Sequence, residues 1–382
     1  MKTRNFAESL EKHLLPVIQY EGGDADLGWR GRLALWFLKR VSSVYRAVAQ
    51  SRLYLYQRDI FNRAHCGCLV VSVGNVTVGG TGKTPMVELI AKELVKEGRR
   101  VAILSRGYRS RPDAASKNAP RVVSDGERIL LNSEVSGDEP FMLAANVPGA
   151  VVIVDKNRVK SGRLAQRRFG CDILLLDDGF QYQKFPHRST RDIVLVDATN
   201  PFGNGHCLPR GILREPAKNI SRAKYICITK VGGRNTAALR AKIKSLNPGA
   251  EIMECNHAPS HLVNAFTHER RDLEELRGMK VLAFSGIASP QSFENTLRDL
   301  GTQIVETRRF VDHHRYTDQE ALDIVNAAQS LGCDAVITTE KDVVRMTLRA
   351  APPVPVYLLR IEVRFLEGET NFRRFVRDII AP

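Results

Sequence analysis

The segment VGNVTVGGTGKTPMVELI, residues 73–90, is the strongest indication of the fold class of this chain. An apolar run, CLVVS, leads into it, and an amphipathic helical pattern runs on from it. A glycine-rich turn between a strand and a helix directs backbone N–H groups into one concavity, and the helix N-terminus adds positive potential there. Because a phosphate group fits such a concavity, the stretch predicts a nucleotide-binding turn.

Lys83 and Thr84 give this turn the chemistry of a P-loop. A lysine at this place reaches the outer phosphates of a nucleotide, and the hydroxyl after it joins the Mg²⁺ shell. The generic pattern G-x-x-x-x-G-K-[ST] begins with glycine, whereas Thr77 stands there in this chain. A plain glycine turn with an exposed lysine is the structural alternative, and a dinucleotide turn is disfavoured because G-x-G-x-x-G is absent. The predicted cofactors are ATP and Mg²⁺, and the predicted ATP-binding residues are Thr77, Val78, Gly79, Gly80, Thr81, Gly82, Lys83 and Thr84.

Two adjacent carboxylates follow a second apolar run, in CDILLLDDGFQ (residues 171–181). A P-loop site needs a carboxylate near the end of a neighbouring strand to hold Mg²⁺. Asp177 and Asp178 repel each other unless a cation or hydrogen-bond donors compensate them, which favours a metal role over a solvated surface pair. The sequence leaves open which of the two binds the metal.

Apolar runs alternate with helical stretches along most of the chain. A first series contains CLVVSVG, VAILSRG, AVVIVD, CDILLLDDG and DIVLVDAT, and a second contains YICITK, KVLAFSGI, CDAVITTE and VPVYLLRIEV. This alternation predicts an α/β fold with a P-loop NTPase-type, mostly parallel sheet core and a second, smaller α/β domain. The expected domains are a helical segment over 1–63, a kinase core over 64–222 and a smaller domain over 223–382, with its last helix free to pack back on the core.

The composition and charge of the chain limit the class of binding partner but do not identify one. The chain has 57 Lys and Arg against 42 Asp and Glu, a formal charge of +15, which favours anionic partners such as nucleic acid, acidic membrane or phosphorylated substrates. Its seven cysteines are scattered and form no pair of C-x-x-C elements, which indicates thiols. No stretch approaches the roughly 18 apolar residues of a spanning helix, and the polar start is not typical of a signal peptide, so we expect a cytoplasmic protein.

The segment WRGRLALWFLKRVSSVYRAVAQSRLYLYQR, residues 29–58, mixes aromatic and aliphatic residues with Arg and Lys at helical spacing. From 28 to 63 there are eight basic residues against one acid, Asp59. The pattern allows two interpretations: a basic helix that docks on a membrane, or a helix packed on the core with a solvated basic face.

The order of nine short motifs along the chain makes the functional interpretation more specific. They are GNVTVGGTGKTP, SRGY, SGDEP, VDKNR, LDDGFQ, LPRGILREP, FSGIASPQSF, VDHHRYT and TTEKDVV. Together, from about residue 30 to near the C-terminus, they resemble the tetraacyldisaccharide 4'-kinase family, which phosphorylates the disaccharide precursor of lipid A. The resemblance implies transfer of the γ-phosphoryl of ATP to the 4'-hydroxyl of a tetraacyl glucosamine disaccharide 1-phosphate. It also shifts the basic helix toward docking on the anionic surface of the inner membrane, on the cytoplasmic side, as a peripheral protein.

The resemblance implies roles for individual residues. Asp138 in SGDEP is the expected general base, His313 in VDHHRYT pairs with it, and Lys83 completes the catalytic set. The expected metal residues are Thr84, Asp177, Asp178 and Glu215. The expected substrate-binding residues are Asn75, Arg106, Tyr108 and Gln181. The motif GIASP departs from the family pattern, which has Gly-Asn before the proline, and leaves the contacts of that loop unassigned.

Two other classes of function compete with the lipid kinase. A P-loop switch ATPase or GTPase acting in partner assembly predicts hydrolysis without a sugar acceptor and a lysine early in the P-loop, where Val78 stands. Nucleic-acid binding follows from the net charge alone, since the chain has no aromatic-basic sheet motif or recognisable helix module. We therefore expect the lipid disaccharide and the membrane surface as partners, with no nucleic acid and no obligate protein partner.

Overall fold

The computed structural model describes residues 28–108, 110, 119–186, 190–346 and 351–380. The polar start of the chain, residues 1–27, lies outside these ranges. The described chain forms two compact units, each drawn from several stretches of sequence. Unit 1 is taken from residues 28–87, 171–256 and 365–380, and unit 2 from residues 88–170 and 257–364. The predicted domain boundaries after residues 63 and 222 stay a prediction.

The described helices and strands alternate over most of the chain. The helices are α1 (Trp29–Gln57), α2 (Lys83–Lys96), α3 (Ser133–Ser136), α4 (Asp138–Asn146), α5 (Arg158–Phe169), α6 (Ala237–Leu246), α7 (Pro290–Asp299), α8 (Asp318–Ser330), α9 (Glu340–Val343) and α10 (Glu369–Ile380). The strands are β1 (Leu69–Gly74), β2 (Val101–Ser105), β3 (Arg121–Asp125), β4 (Val151–Val154), β5 (Ile173–Asp177), β6 (Thr190–Asp197), β7 (Tyr225–Thr229), β8 (Glu251–Asn264), β9 (Arg270–Arg271), β10 (Lys280–Ser285), β11 (Gln303–Arg309), β12 (Ala335–Thr339) and β13 (Val356–Glu367). Within the described ranges, 3₁₀ turns cover Ala217–Arg222 and Leu273–Leu276.

Unit 1 is built on a parallel sheet. Its strands lie in the order β8, β7, β6, β1 and β5, and each neighbouring pair is parallel. Strand β1 lies between β5 and β6, with Val73 opposite Asp177 on one side and Ile193 on the other. Strands buried on both faces are continuously apolar, which explains the runs seen in the sequence. Helix α10 packs on this sheet: its Phe375 ring lies 5.0 Å from the Tyr225 ring.

Unit 2 contains two groups of paired strands. Strands β11, β10, β12 and β13 pair in parallel, while β4 pairs in parallel with β2 and antiparallel with β3. Phe284 and Ile324 belong to a buried cluster between this first group and helix α8. A capping box starts α8, because the Thr317 and Glu320 side chains each accept a hydrogen bond from the other's backbone N–H. The predicted α/β class with a mostly parallel sheet is confirmed.

Helix α1 packs on unit 1 through one face and exposes the other. Leu35 and Leu53 are buried, and Ser42 Oγ donates to the Cys207 carbonyl oxygen at 2.7 Å. Tyr45 Oη donates to the Arg214 carbonyl oxygen at 3.0 Å, which ties the helix to the segment beside the P-loop. The opposite face carries exposed apolar side chains among basic ones. None of the described helices is long and apolar enough to cross a membrane.

Candidate active site

The P-loop is shaped by two glycines and by pairing with a second segment. Gly79 has φ 108° and Gly82 has φ 84°, conformations that side chains with a Cβ rarely adopt. The loop is held in place by backbone hydrogen bonds, since Val78 N donates to the Ile212 oxygen at 2.8 Å and Arg214 N donates to the Val76 oxygen at 2.8 Å. Helix α2 then begins at Lys83, as the sequence pattern predicts.

The LDDGFQ segment lies directly against the P-loop strand. A Cβ on Gly74 would lie 2.5 Å from the Phe180 Cβ, so glycine is needed for this close approach. Gly179 N donates to the Val73 oxygen at 3.0 Å, and Gln181 Nε2 donates to the Asn75 oxygen at 2.7 Å. The turn and the two predicted metal carboxylates are therefore assembled on one edge of the sheet.

Lys83 is largely buried and faces the carboxylate of Asp178. Its Nζ lies 3.7 Å from Asp178 Oδ1 and 3.4 Å from Asn75 Oδ1. Burial lowers the pKa of Lys83 below its ordinary value, and the charge of Asp178 offsets only part of that effect. The lysine is thus a desolvated cation next to the turn, where an added phosphate oxygen would lower its energy.

Asp178 has a backbone conformation that is uncommon for a residue other than glycine. Its φ is 56°, in the left-handed region that costs a non-glycine residue on the order of 1–3 kcal/mol unless its surroundings impose it. Arg214 Nη1 lies 2.8 Å from Asp178 Oδ1 and 2.7 Å from Oδ2, so two cations hold this carboxylate. Asp177 is the last residue of β5 and is buried.

Glu215 already has several donors. Its carboxylate accepts from Arg222 Nη1 and Asn219 Nδ2 at 2.7 Å each, and from Gln181 Nε2 at 2.8 Å. In this arrangement Glu215 fixes Gln181, which in turn bonds the Asn75 backbone. Its predicted role at the metal stays a prediction, and Arg222 is the cation with which a metal would compete.

The donor set suits Mg²⁺ as a P-loop site binds it. Among the described residues, no group of three or more His, Cys, Asp or Glu side chains is placed to hold a metal ion by itself. Mg²⁺ at nucleotide sites takes one or two carboxylates together with phosphate oxygens and water, so a complete protein cage is not required. The carboxylates of Asp177 and Asp178 and the hydroxyl of Thr84, in the first turn of α2, have the oxygen chemistry for that partial set.

The second group of predicted residues meets in unit 2 around Asp138. This residue is 6% exposed and begins α4, after Gly137 with φ 95°. His313 Nδ1 lies 3.2 Å from Asp138 Oδ2, the contact expected from the family motifs. Like Asp178, His313 is a non-glycine residue in the left-handed region, with φ 64°.

Two arginines that the sequence interpretation missed also bind Asp138. Arg345 Nε donates to Oδ2 at 2.8 Å, and Arg315 Nη2 donates to Oδ1 at 3.3 Å. Burial raises the pKa of the Asp138 carboxyl, but the hydrogen bond with His313 and the charge of Arg345 outweigh it, so the pKa lies below its ordinary value. The signal for both arginines was present, because Arg315 lies inside VDHHRYT and Arg345 directly follows TTEKDVV.

Arg106 and Tyr108 lie just past the carboxyl end of β2 in unit 2. Both are exposed, and the Tyr108 side chain is 65% exposed. A Cβ on Gly137 would lie 3.2 Å from the Tyr108 carbonyl oxygen, so the SRGY loop passes close to the start of α4. Of the predicted substrate residues, this pair lies in unit 2, and Asn75 and Gln181 lie beside the P-loop in unit 1.

Comparison with known proteins agrees with this geometry. The sequence profile described as LpxK, tetraacyldisaccharide-1-P 4'-kinase, matches residues 34–381. The chain belongs to this family. It is 41% identical over 341 residues to the tetraacyldisaccharide 4'-kinase of Anaeromyxobacter sp. (strain Fw109-5), covering 88% of this chain and 90% of that one. The enzyme of the same name from Desulfatibacillum aliphaticivorans is 38% identical over 379 residues, covering 97% of this chain and 98% of that one.

A solved structure of the family shares the fold. It is described as the "apo" form of LpxK from Aquifex aeolicus in complex with ATP, is 27% identical, and aligns with a TM-score of 0.71 over 89% of this chain and 97% of that chain. The P-loop kinase fold predicted from the sequence is therefore confirmed. Membership of the tetraacyldisaccharide-1-P 4'-kinase family also confirms the predicted enzyme class, a kinase of lipid A biosynthesis, over the switch ATPase.

Proposed function

We propose that the protein transfers the γ-phosphoryl of ATP to the 4'-hydroxyl of a tetraacyl glucosamine disaccharide 1-phosphate. The observation that carries the proposal is the P-loop network of a family member, in which Lys83 and Arg214 both face Asp178. ATP as the donor is supported by the Aquifex relative, whose structure contains ATP. Lys83 and the backbone N–H groups of residues 77–84 bind its phosphates.

The metal residues would be Thr84 with Asp177 and Asp178. Bound there, Mg²⁺ would neutralise charge on the phosphate oxygens during transfer. Asp178 contributes before any ion binds, because it compensates the charge of Lys83 and Arg214 and keeps both oriented. Glu215 acts through Gln181, which it holds against the Asn75 backbone.

Asp138 is the proposed acceptor of the proton that leaves the sugar hydroxyl. A hydroxyl is a weak nucleophile, so a carboxylate that takes its proton assists the attack. Because the pKa of Asp138 lies below its ordinary value, the carboxylate is ionised at neutral pH and available for that proton. His313 lies against Oδ2 and orients it.

The substrate contacts remain proposals on chemical grounds. Arg106, exposed beyond β2, suits the 1-phosphate, because a guanidinium binds phosphate through two parallel hydrogen bonds. Tyr108 beside it is a large exposed aromatic side chain that suits a sugar face. Asn75 and Gln181 have polar side chains beside the P-loop, which suits the acceptor hydroxyl group.

The membrane surface is the proposed location of the enzyme, as a peripheral protein on the cytoplasmic side of the inner membrane. The outer face of α1 exposes a set of apolar side chains: Trp29, Leu33, Trp36, Phe37, Val44 and Val48. Basic side chains lie among them, and Arg40 stacks over the Trp36 ring at 5.2 Å. Apolar burial in the interface together with attraction to anionic lipid is the usual basis of such docking.

The first test is transfer of ³²P from γ-labelled ATP, with Mg²⁺, to a tetraacyl disaccharide 1-phosphate in mixed micelles. Lys83→Ala and Asp138→Ala are expected to lose most of the activity, by about a hundredfold or more, because each removes a group that acts on the reacting phosphoryl or hydroxyl. Lys96→Ala, an exposed lysine on the same helix as Lys83, serves as the control and should retain full activity. Hydrolysis of ATP by folded protein without labelled lipid would favour the switch ATPase instead.

A further inference from the structure

The Arg345 side chain is completely enclosed at the Asp138 site. It is 0% exposed, and all three of its nitrogens face acceptors on different segments. Nε donates to Asp138 Oδ2 at 2.8 Å, Nη1 donates to the Gly286 oxygen at 3.1 Å, and Nη2 lies 3.0 Å from His313 Nδ1. A guanidinium with its whole fork engaged is held in one orientation.

A second buried carboxylate, that of Asp342, helps to fix the orientation of the Arg345 guanidinium. Asp342 is 0% exposed and lies 3.7 Å from Arg345 Nη1. Its Oδ1 also accepts from Gly286 N at 3.0 Å and from Tyr316 Oη at 2.9 Å. Because both residues belong to one short stretch, TTEKDVVR (338–345), a motif without an assigned role at the sequence level builds the support for the Asp138 site.

The contacts of His313 Nδ1 cannot all be hydrogen bonds at once. Arginine only donates, so its contact requires Nδ1 to accept and places the imidazole proton on Nε2. An ionised Asp138 only accepts, so its contact at 3.2 Å requires Nδ1 to donate. The shorter distance belongs to Arg345, at 3.0 Å. The arginine therefore competes with Asp138 for this nitrogen and biases the tautomer of the histidine.

We propose that Arg345 is a positioning residue for phosphoryl transfer: its guanidinium fixes the orientation of Asp138, keeps that carboxylate ionised, and competes with it for Nδ1 of His313. This inference rests on the proposed role of Asp138 as the proton acceptor. The residue need not touch the substrate, because it acts through the two groups that it holds.

The charges around Asp138 predict what loss of the arginine would do. The groups facing the carboxylate are His313, Arg315 and Arg345, with Asp342 and Tyr316 behind the last of these. Arg315 is 34% exposed, so solvent screens its charge more than that of the enclosed Arg345. A neighbouring cation lowers a carboxyl pKa by about one to three units. Without Arg345, the effect of burial on the pKa of Asp138 is opposed mainly by His313. The carboxylate is then protonated at pH values closer to neutral than in the wild type.

The test is the pH dependence of kcat and of KM for ATP and for the lipid acceptor, measured for the full chain and two variants. Arg345→Gln removes the charge, so we expect its acidic limb to move to higher pH by about one to three units. It also removes the fork that orients Asp138, so we expect kcat at pH 7 to fall about tenfold or more, with KM for ATP unchanged. Arg345→Lys keeps the charge without the fork, so the limb should move less while kcat still falls. Arg309→Ala is the control, because Arg309 binds the buried Glu294 at 2.7 and 2.8 Å in the same unit and contacts neither Asp138 nor His313.

The outcomes separate this inference from the proposed function. A folded Arg345→Gln protein with the wild-type pH profile and kcat overturns the positioning role. Should that variant fail to fold, as judged by circular dichroism, Arg345→Lys decides: a lowered kcat with unchanged KM for ATP supports the role, and wild-type behaviour overturns it. Asp138→Asn is assayed beside them. Full activity of this variant would remove the base role and the inference with it, whereas its inactivity beside an unaffected Arg345→Gln would remove only the inference.

Discussion

At the level of single residues, the site depends on backbone conformations with positive φ. The sequence indicates such conformations where the residue is glycine but not where it is another residue. Gly79 and Gly82 have positive φ and were expected to be special from their place in the turn. Asp178 and His313 share the left-handed region, which Asp and His adopt more often than most non-glycine residues, yet the sequence does not show which Asp or His does so. Both are proposed site residues, which agrees with the general tendency of strained residues to cluster at functional sites.

Gly79→Ala tests the cost of this conformation directly. A Cβ at Gly79 would meet nothing within 4 Å, so only the backbone, with φ 108°, opposes the substitution. We expect the free energy of unfolding, measured by urea titration, to fall by at least about 1 kcal/mol. Gly80→Ala is the matched control, because its Cβ also has open space and its φ lies outside the unfavourable range; it should change stability by less than about 0.5 kcal/mol. Equal losses in both variants would contradict the argument.

Among the helices, α1 has two faces of different character. Its inner face packs through Leu35 and Leu53 and bonds the segment that pairs with the P-loop. Its outer face keeps Trp36, Phe37 and Val44 in solvent, an arrangement that carries a hydrophobic cost unless another surface covers it. The sequence pattern allowed both core packing and membrane docking, and the helix has one face suited to each.

The double substitution Trp36→Ser with Phe37→Ser tests the outer face of α1. We expect binding to vesicles that contain an anionic phospholipid to weaken by at least about tenfold, because each large apolar side chain contributes about 1.5–3 kcal/mol when buried. The urea unfolding midpoint should stay unchanged, since both side chains are more than half exposed, at 55% and 60%. Leu322→Ser, at a position that is 56% exposed on α8, is the control and should bind as the wild type does. Undiminished binding of the double variant would rule out docking through this face.

At the scale of the whole chain, distant segments meet around buried charges. In unit 2, Arg360 on β13 forms ion pairs with Glu88 on α2 and with Glu340 at the start of α9. Asn146 Nδ2 also donates to both carboxylates. Burial raises the pKa of Glu340 above its ordinary value, although Arg360 opposes the shift. The Arg360 guanidinium therefore lies between two carboxylates that would otherwise repel each other, and Lys92 Nζ, 2.6 Å from Glu88 Oε1, is a second cation at this cluster.

Arg360→Ala should destabilise the protein by about 3–5 kcal/mol at neutral pH, because it removes the cation that pairs with buried Glu340 and leaves Glu88 with Lys92 alone. The direction of the pH dependence of stability follows from the raised pKa of Glu340, because the folded state favours its protonated form. The stability that this group contributes is therefore greatest at low pH and is lost as pH rises through its folded pKa. The deficit of the variant should therefore be larger at pH 8 than at pH 5 in urea titrations. Arg373→Ala, which breaks the exposed pair with Glu369, is the control, with an expected change of at most about 1 kcal/mol at either pH. A deficit independent of pH would contradict the account.

The local features of this chain follow from its sequence alone. The strand, glycine turn and lysine of residues 73–90, the paired aspartates after β5 and the parallel α/β class follow from short patterns, because neighbouring residues share one periodicity and one turn. The motif order also identified the family. These parts needed no knowledge of which segments meet in space.

The compensation of the buried charges, by contrast, depends on how the chain folds. Asp138 meets His313 across 175 residues and Arg345 across 207, and such contacts depend on the packing of α4, α9 and the loop that carries His313. Arg214 and Glu215 stand side by side in the sequence, yet one binds Asp178 and the other Arg222. The physical reason is that a buried charge requires a partner within a few ångströms, and only the folded chain sets which residue occupies that place.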